Sequence, residues 1–504
     1  MNNIKRYFIT AVLSGLGLMA FAQGEYDAFN YSQDDLLGTA RYMSMAGAFG
    51  ALGGDMSAVS QNPGGIGIYR SSEFSLTPVI GYSSSSADYN GISRKENKLT
   101  AGFNSIGYIG SFRPSNTENI NNINFGVSYT KTKDFNRNMF ISGKNNASSL
   151  LDGICADNAN VPTMSLSGLG NLAYNAYLTN YAGGVYTSVL RQNELVDKTM
   201  YMNEDGHSGV FDFSLGANWG HFMYIGVGVG LNLMDYSMTS SYSEHSLGVI
   251  EGTTEIQPFE YELRNALSTT GSGVNFKIGA ILKPFPFLRF GFALHTPTYY
   301  KLTDVFGASM TSDLMPANTQ SESAESDLTY QLQTPGKIMY SAAYLFGQRA
   351  ILSFDCDVVD YREMALKYEN GMPCDETNAS IDDHFKTAYN VRVGAEYRVN
   401  DNFSVRGGFA SYDQGYQKNR ASANTFVSTV GTTPYYAFDM PTTYITGGLG
   451  YRSGLFSLDA AVTNKTTGEQ FFPYYDSTPD SGVKQYADVK LNRLNLAVTA
   501  GFRF

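Results

Sequence analysis

The last residues of the chain alternate. Leu494, Leu496, Val498, Ala500, Phe502 and Phe504 are apolar, while Asn495, Ala497, Thr499, Gly501 and Arg503 between them are polar or small. Side chains on a β-strand point to opposite faces in turn, so this pattern predicts a strand with one apolar face. The same period recurs at 74–82, 106–112, 123–129, 211–219, 225–233, 274–282, 288–294, 338–346, 352–358, 389–397, 403–409, 445–451 and 456–462, which with the terminal strand makes fourteen.

The connections decide what these strands build. Short links at 114–122, 220–221, 284–287, 347–349, 399–402 and 452–454 alternate with long polar segments at 131–207, 239–271, 302–327, 363–384, 413–441 and 465–486. A soluble sandwich has no reason to keep its long connections on one edge, whereas a transmembrane barrel has short periplasmic turns and long outer loops. Phe112, Trp219, Phe346, Tyr397, Phe403, Tyr451, Phe456 and Phe504 stand beside the short turns or the terminus, the headgroup level that amphipathic rings prefer. Arg289, Asp355, Arg392, Glu396, Arg398, Arg406 and Asp459 fall on the opposite face, which suits a wet lumen and not lipid. The expected fold is therefore all-β: a transmembrane antiparallel barrel of about 14 strands occupying 71–504.

Composition agrees. The chain has 52 Gly, 36 Tyr and 32 Phe against one Trp and 16% charged residues, and beyond its leader no 18-residue apolar run that could cross a membrane as a helix. Lys5 and Arg6, an apolar run over 7–21 and the small residues of Ala20-Phe21-Ala22 predict a signal peptide over 1–22, cleaved before Gln23. No Cys follows the cut, so no lipidation is expected. Loss of Lys5 and Arg6 takes the formal net charge from −11 to −13, which disfavours nucleic acid as a partner. Cys155, Cys356 and Cys374 are too few for a disulfide framework, and an isolated pair in outer loops stays open. Export together with an aromatic terminus at Phe504 resembles the signal read by the barrel-assembly machinery, and places the chain in a bacterial outer membrane among its lipids.

From 23 to 70 the alternation is absent, and Ala46-Gly47-Ala48-Phe49-Gly50-Ala51-Leu52-Gly53-Gly54-Asp55 is dominated by small residues. Such a segment can pack close to an inner wall, and a barrel of this size leaves room for it, so 23–70 is expected to be a hatch, or plug. The stretch from Asp55 through Asn62-Pro63-Gly64 to Ile66 resembles the hatch of the FadL/TodX family of outer-membrane transporters for long-chain fatty acids and other hydrophobic compounds. Gly64 stands where that family carries Ala after Asn-Pro. Leu288-Arg289-Phe290-Gly291 with His295-Thr296-Pro297 is similar to a strand motif of the same family. The resemblance implies a monomer whose hatch, around Asn62, Pro63 and Gly64, gates the lumen. It also implies passive uptake in which an apolar small molecule enters from outside and leaves sideways into the membrane.

Ligand capture is expected, if anywhere, around Leu166, Leu169, Leu172, Ala176 and Tyr177, which recur at helical spacing beside Tyr181 and Val185. Simple packing of that helix on the rim is an equal alternative. No enzymatic chemistry is expected. His207, His221, His245, His295 and His384 lie in no nucleophile motif, and Ser208 is merely adjacent to His207. Gly226, Gly228 and Gly230 alternate with Val227 and Val229 in a strand and so are no phosphate loop. Asp355, Asp357 and Asp360 lack a Gly-punctuated calcium loop, so neither metal nor cofactor is implied. Alternatives of other classes are a general porin-like channel, haem-related uptake, and a surface adhesion or receptor barrel.

Overall fold

The computed structural model describes residues 24–114, 119–191, 194–249, 256–314, 319–322, 326–417, 429, 432–474 and 486–504. The expected leader over 1–22 and its cleavage site lie outside these residues. All fourteen expected strands form, and they close into one antiparallel barrel. They are β1 (Glu73–Tyr89), β2 (Ile92–Phe112), β3 (Ile120–Asp134), β4 (Val196–Trp219), β5 (Met223–Val249), β6 (Ile256–Phe285) and β7 (Leu288–His295). Then follow β8 (Lys337–Phe346), β9 (Ala350–Asp360), β10 (Thr387–Arg398), β11 (Phe403–Tyr412), β12 (Thr442–Ser453), β13 (Phe456–Phe472) and β14 (Ala487–Arg503). Each pairs with its sequence neighbour, and β1 closes on β14 from Glu73↔Arg503 to Asp88↔Asp488.

The outward face carries the membrane band. On β5 it reads Ile225, Val227, Val229, Leu231, Leu233; on β6, Val274, Phe276, Ile278, Leu282; on β8, Ile338, Tyr340, Tyr344, Phe346. At the periplasmic edge the rings touch one another: Phe285 and Phe287 stack at 5.4 Å, Tyr344 meets Phe346 at 4.6 Å, and Phe403 meets Tyr451 at 4.9 Å. Such a girdle fixes the barrel at the headgroup level.

Above the band the polarity of the two faces exchanges. On β5 the outward residues become Asp235, Ser237, Thr239 and Ser241, and the inward ones become Met234, Tyr236, Met238 and Tyr242, all buried. β6 does the same, with Glu262, Arg264 and Thr270 outside and Phe259, Tyr261, Leu263 and Leu267 within. A wall that has left lipid faces water outside and must bury its apolar groups inside. This corrects the expectation of long loops. Much of 239–271 is strand, β5 and β6 pairing from Met223↔Leu282 to Val249↔Ile256, and Arg137–Asn146, Tyr299–Ser312 and the end of β13 are also strand. The phase of the pattern inverts there, so polar outward residues read as loop.

Inside this raised collar lies one large cluster of Met, Tyr and Phe side chains, with Met139, Met200, Met202, Met234, Met238 and Met310 among them. A second, smaller cluster joins the N-terminal segment to the membrane-level wall.

Candidate functional site

The N-terminal segment runs down the lumen. Helix α1 (Glu25–Ser32) sits in the collar, where the Phe29 ring lies 4.9 Å from Tyr361, 4.9 Å from Phe385 and 4.7 Å from Tyr416. Below it come α2 (Ala40–Ser44), α3 (Met56–Gln61) and a 3-10 turn at Pro63–Ile68. Asp55 starts α3 by accepting from Ser57 N at 3.0 Å and from Thr39 Oγ1 at 2.8 Å.

The residues flagged as hatch pack directly against the wall. Asn62 Oδ1 accepts from Gly64 N at 3.0 Å, while its Nδ2 donates to Gly50 O at 2.7 Å and to Ala280 O at 3.3 Å. The backbone here touches backbone, because the wall presents glycine. A Cβ on Gly226 would lie 2.2 Å from Pro63 O, and one on Gly279 would lie 1.9 Å from Asn62 Oδ1. A Cβ on Gly64 itself would meet Ala280 Cα at 2.9 Å, a physical reason for glycine where the resembled family has alanine. The strand motif on β7 is the hatch's other seat: Arg289 Nη1 donates to Leu52 O at 3.0 Å and His295 Nε2 lies 2.8 Å from Gln61 O.

Buried ion pairs tie hatch to wall. Arg41 Nε is 3.1 Å from Glu396, which also meets Arg406 at 2.6 Å, and Arg406 reaches Asp459 at 2.6 Å. Asp355 accepts from Gly50 N at 2.9 Å and Gln61 Nε2 at 3.1 Å, and Arg392 pairs with Asp357 at 2.6 Å. Ser60 donates to Asp212, which Lys277 meets at 2.6 Å. Of the inward charges expected to line a wet lumen, Arg289, Asp355 and Glu396 bond the hatch, Arg392, Arg406 and Asp459 pair along the wall, with Asp357 the partner of Arg392, and Arg398 is exposed.

Between collar and seal lies a chamber of about 200 Å³ with polar walls, among them Gln33, Asp34, Asp35, Lys131, Lys337 and Lys465. On one side it reaches a break in the barrel. β2 and β3 pair only from Phe112↔Ile123 up to Ser105↔Thr130, so among the described residues β2 above Ser105 has a ladder partner in β1 alone. β3 turns away through a bulge between Lys131 and Lys133, marked by a register shift against β4. The seam is bridged higher up by side chains, Lys98 Nζ reaching Asp205 Oδ1 at 2.7 Å, Glu204 O at 2.7 Å and Asn203 Oδ1 at 2.8 Å. Below that lintel is a side window of about 530 Å³, lined by Thr100, Gly102, Phe103, Lys131, Asn136 and His207 among others. Leu37 and Lys131 line both chamber and window. Asp35 sits behind the bulge, its N donating to Thr132 O at 2.7 Å. The window was not foreseen from the sequence.

The residues read as a ligand stripe line neither the chamber nor the window. Leu172 and Ala176, on and just after helix α4 (Gly168–Asn175), are buried in the collar cluster and Leu169 packs against it. Leu166 is half-buried, and Tyr177 and Tyr181 are exposed at 49% and 39%. Among the described residues the three cysteines form no disulfide.

A family model described as outer membrane protein transport protein (OMPP1/FadL/TodX) matches residues 212–487, more than half of the chain. Among solved structures, the fold is similar to that of a FadL homologue from Pseudomonas aeruginosa, at 12% identity and a TM-score of 0.52, covering 94% of this chain and 100% of that one. It is also similar to a TodX deltaS2S3 mutant, titled a monoaromatic hydrocarbon channel, at 10% identity and 0.52, covering 93% and 99%. A TodX deltaS2 mutant matches at 12% identity and 0.52, covering 93% and 100%. No curated protein sequence matches the chain.

Proposed function

The chain belongs to the OMPP1/FadL/TodX family of outer membrane transport proteins, and from that premise we propose that it takes up hydrophobic small molecules passively, releasing them sideways through the window between β2 and β3. It is an outer-membrane transport barrel for hydrophobic compounds. The finer reading concerns the route. Cargo enters among the collar's Met and Tyr side chains, passes the polar chamber, and leaves between Leu37 and Lys131 into the outer leaflet.

One observation carries this reading: β2 and β3 stop pairing above Ser105↔Thr130, and the gap coincides with a cavity that shares lining residues with the chamber. Unpaired backbone facing hydrocarbon costs several kcal/mol per group, so such a break persists where it lines a passage. Transfer of apolar surface out of water, worth about 25 cal/mol per Å², drives entry into the collar and then into lipid without an energy source. Methionine supports the entry step, since its unbranched thioether repacks readily around different guests. The hatch residues Asn62, Pro63 and Gly64 seal the periplasmic side. Monomers suffice, because the route lies within one barrel, and the assembly machinery would read Phe504.

The test is uptake by cells that have this chain as their sole hydrophobic transporter, before and after Gly102→Phe. A Cβ at Gly102 would have only the Lys131 Nζ nearby, at 3.9 Å, so the ring can fill the window without disturbing the wall. Oleate and oleyl alcohol uptake should both fall several-fold while the barrel folds normally. Unchanged uptake of both would rule out the lateral route. A porin-like channel would instead conduct ions freely in planar bilayers with the hatch intact.

A further inference from the structure

The bulge in β3 has a consequence for one side chain. Along the strand Phe125, Val127 and Tyr129 face outward, and strict alternation would send Lys131 into lipid. The extra residue at Thr132 breaks that parity, so Lys131 is instead buried in the seam at the point where chamber and window meet. Its ammonium reaches across the gap to within 3.9 Å of where a Gly102 Cβ would stand. Bulges commonly re-aim a side chain beside a functional opening.

The charge around it is incompletely balanced. Asp134 Oδ2 lies 3.3 Å from Lys131 Nζ, but Oδ1 of the same carboxylate is taken by Arg493 at 3.1 Å and by Asn136 N at 3.1 Å. Asp35 is shared between Lys465 and, at 3.8 Å, Arg493. Three cations, Lys131, Lys465 and Arg493, therefore divide two carboxylates, Asp35 and Asp134. Of the three cations Lys131 is the one that lines the window itself, with Asp134, already engaged by Arg493, beside it. The neighbouring Lys133 gives its three hydrogen bonds to neutral oxygens of Asn30 and Gln33, with the Asp35 and Asp439 carboxylates close enough to favour its charge.

We propose that Lys131 selects cargo at this portal, favouring amphiphiles with an anionic head over neutral molecules of the same chain; the role rests on the transport reading above. A carboxylate leaving the polar chamber exchanges water for the Lys131 ammonium as it crosses the seam, while its tail slides past Phe103 into lipid. A charge-assisted hydrogen bond of ordinary strength corresponds to about tenfold or more in rate when it is made at the barrier. A neutral head gains no such interaction.

The experiment compares initial uptake of oleate and of oleyl alcohol in cells bearing the full chain. Lys131→Met keeps the length and loses the charge; oleate uptake should fall about tenfold and oleyl alcohol uptake should stay within twofold. Lys131→Arg should retain oleate uptake. Gly102→Asp sets a carboxylate opposite an intact Lys131 and should reproduce the selective loss, which keeps the test open if Lys131→Met folds poorly. Parallel loss of both probes in Lys131→Met and Gly102→Asp, or no loss of oleate uptake in either, overturns the proposal. A wild-type chain that moves neither probe overturns the transport reading itself, a failure seen before any substitution is made.

Discussion

Gly226→Ala should unseat the hatch and make the barrel leak. The new Cβ would stand 2.2 Å from Pro63 O, 2.5 Å from Pro63 C and 3.0 Å from Gly64 N. All three are backbone atoms of the seal, so no flexible side chain can yield, and the turn must move by more than 1 Å to reach ordinary contact. That movement strains the Asn62 bonds to Gly50 O and Ala280 O. Overpacking of this kind costs about 1–3 kcal/mol, and the upper end multiplies the unseated fraction by about 100. Gly228→Ala is the matched control. It lies on the same strand and the same face, but its Cβ would have Ser214 Oγ at 3.2 Å and Pro63 only at 3.7 Å. Single-channel recording in planar bilayers, with vancomycin sensitivity of whole cells as a second readout, should show leak for the first variant and none for the second. Equal, low conductance in both would refute the idea that backbone contact with glycine makes the seal.

Other consequences follow from the buried charges and the rim. Arg406→Met leaves Asp459 without its partner and Glu396 with one of two, a change worth about 3–5 kcal/mol, so the thermal midpoint of the folded barrel on gels should drop by several degrees. Asp304 lies above the membrane band, fully buried, with Tyr330 Oη at 3.4 Å, and desolvation raises its carboxyl to about 7. The folded chain then holds a proton that the unfolded chain has lost, so stability is greatest below about pH 4 at this group and declines as pH rises towards 7. The loss is on the order of 2–4 kcal/mol, and Asp304→Asn should narrow the difference between melts at pH 5 and pH 8 by about that amount. Tyr177→Ala with Tyr181→Ala tests α4 and the segment that follows it as a capture site through the two exposed rings beyond its end. Oleate uptake at low concentration should at least halve, and an unaltered rate would leave α4 a packing element.

The membrane-level barrel was legible because lipid imposes one rule on every strand: apolar residues at alternate positions, outside. The collar escaped because the rule inverts. After Leu233 the apolar series resumes at Met234, one position out of phase, and a reading that follows a single face sees only Asp235, Ser237 and Thr239. The window left a fainter trace. From Ile92 to Asn104, β2 carries Arg94, Lys95, Glu96 and Lys98, charges at successive positions and so on both faces, the composition of a strand edge that must not pair. Lys131-Thr132-Lys133 breaks the alternation of β3 at the matching height. The hatch motif at Asn62-Pro63-Gly64 was visible, but its seat was not, since Gly226 and Gly279 signal only absence of a side chain until the facing backbone is known.

The heights of seal and window separate two fluxes. Gly216 pairs with Gly226 at the seal, while Thr130, the lower sill of the window, pairs with Val210. Val210 and Gly216 are six positions apart on β4, about 15 Å along the barrel axis once strand tilt is allowed for. On the proposed route cargo does not cross the glycine-lined floor, and the ion pairs from Arg41 to Asp459 can stay intact throughout a transport cycle. What must yield is the segment at Asp34–Leu37, held to the wall by Asp35 and exposing Leu37 to both spaces. If that division is right, Gly226→Ala raises ion conductance without raising oleate uptake, whereas filling the window with Gly102→Phe stops oleate without sealing that leak. A double variant should show both phenotypes unchanged in size. If oleate uptake instead rose with conductance in Gly226→Ala, cargo would be passing through the floor, and the side window would be a defect in the wall with no part in transport.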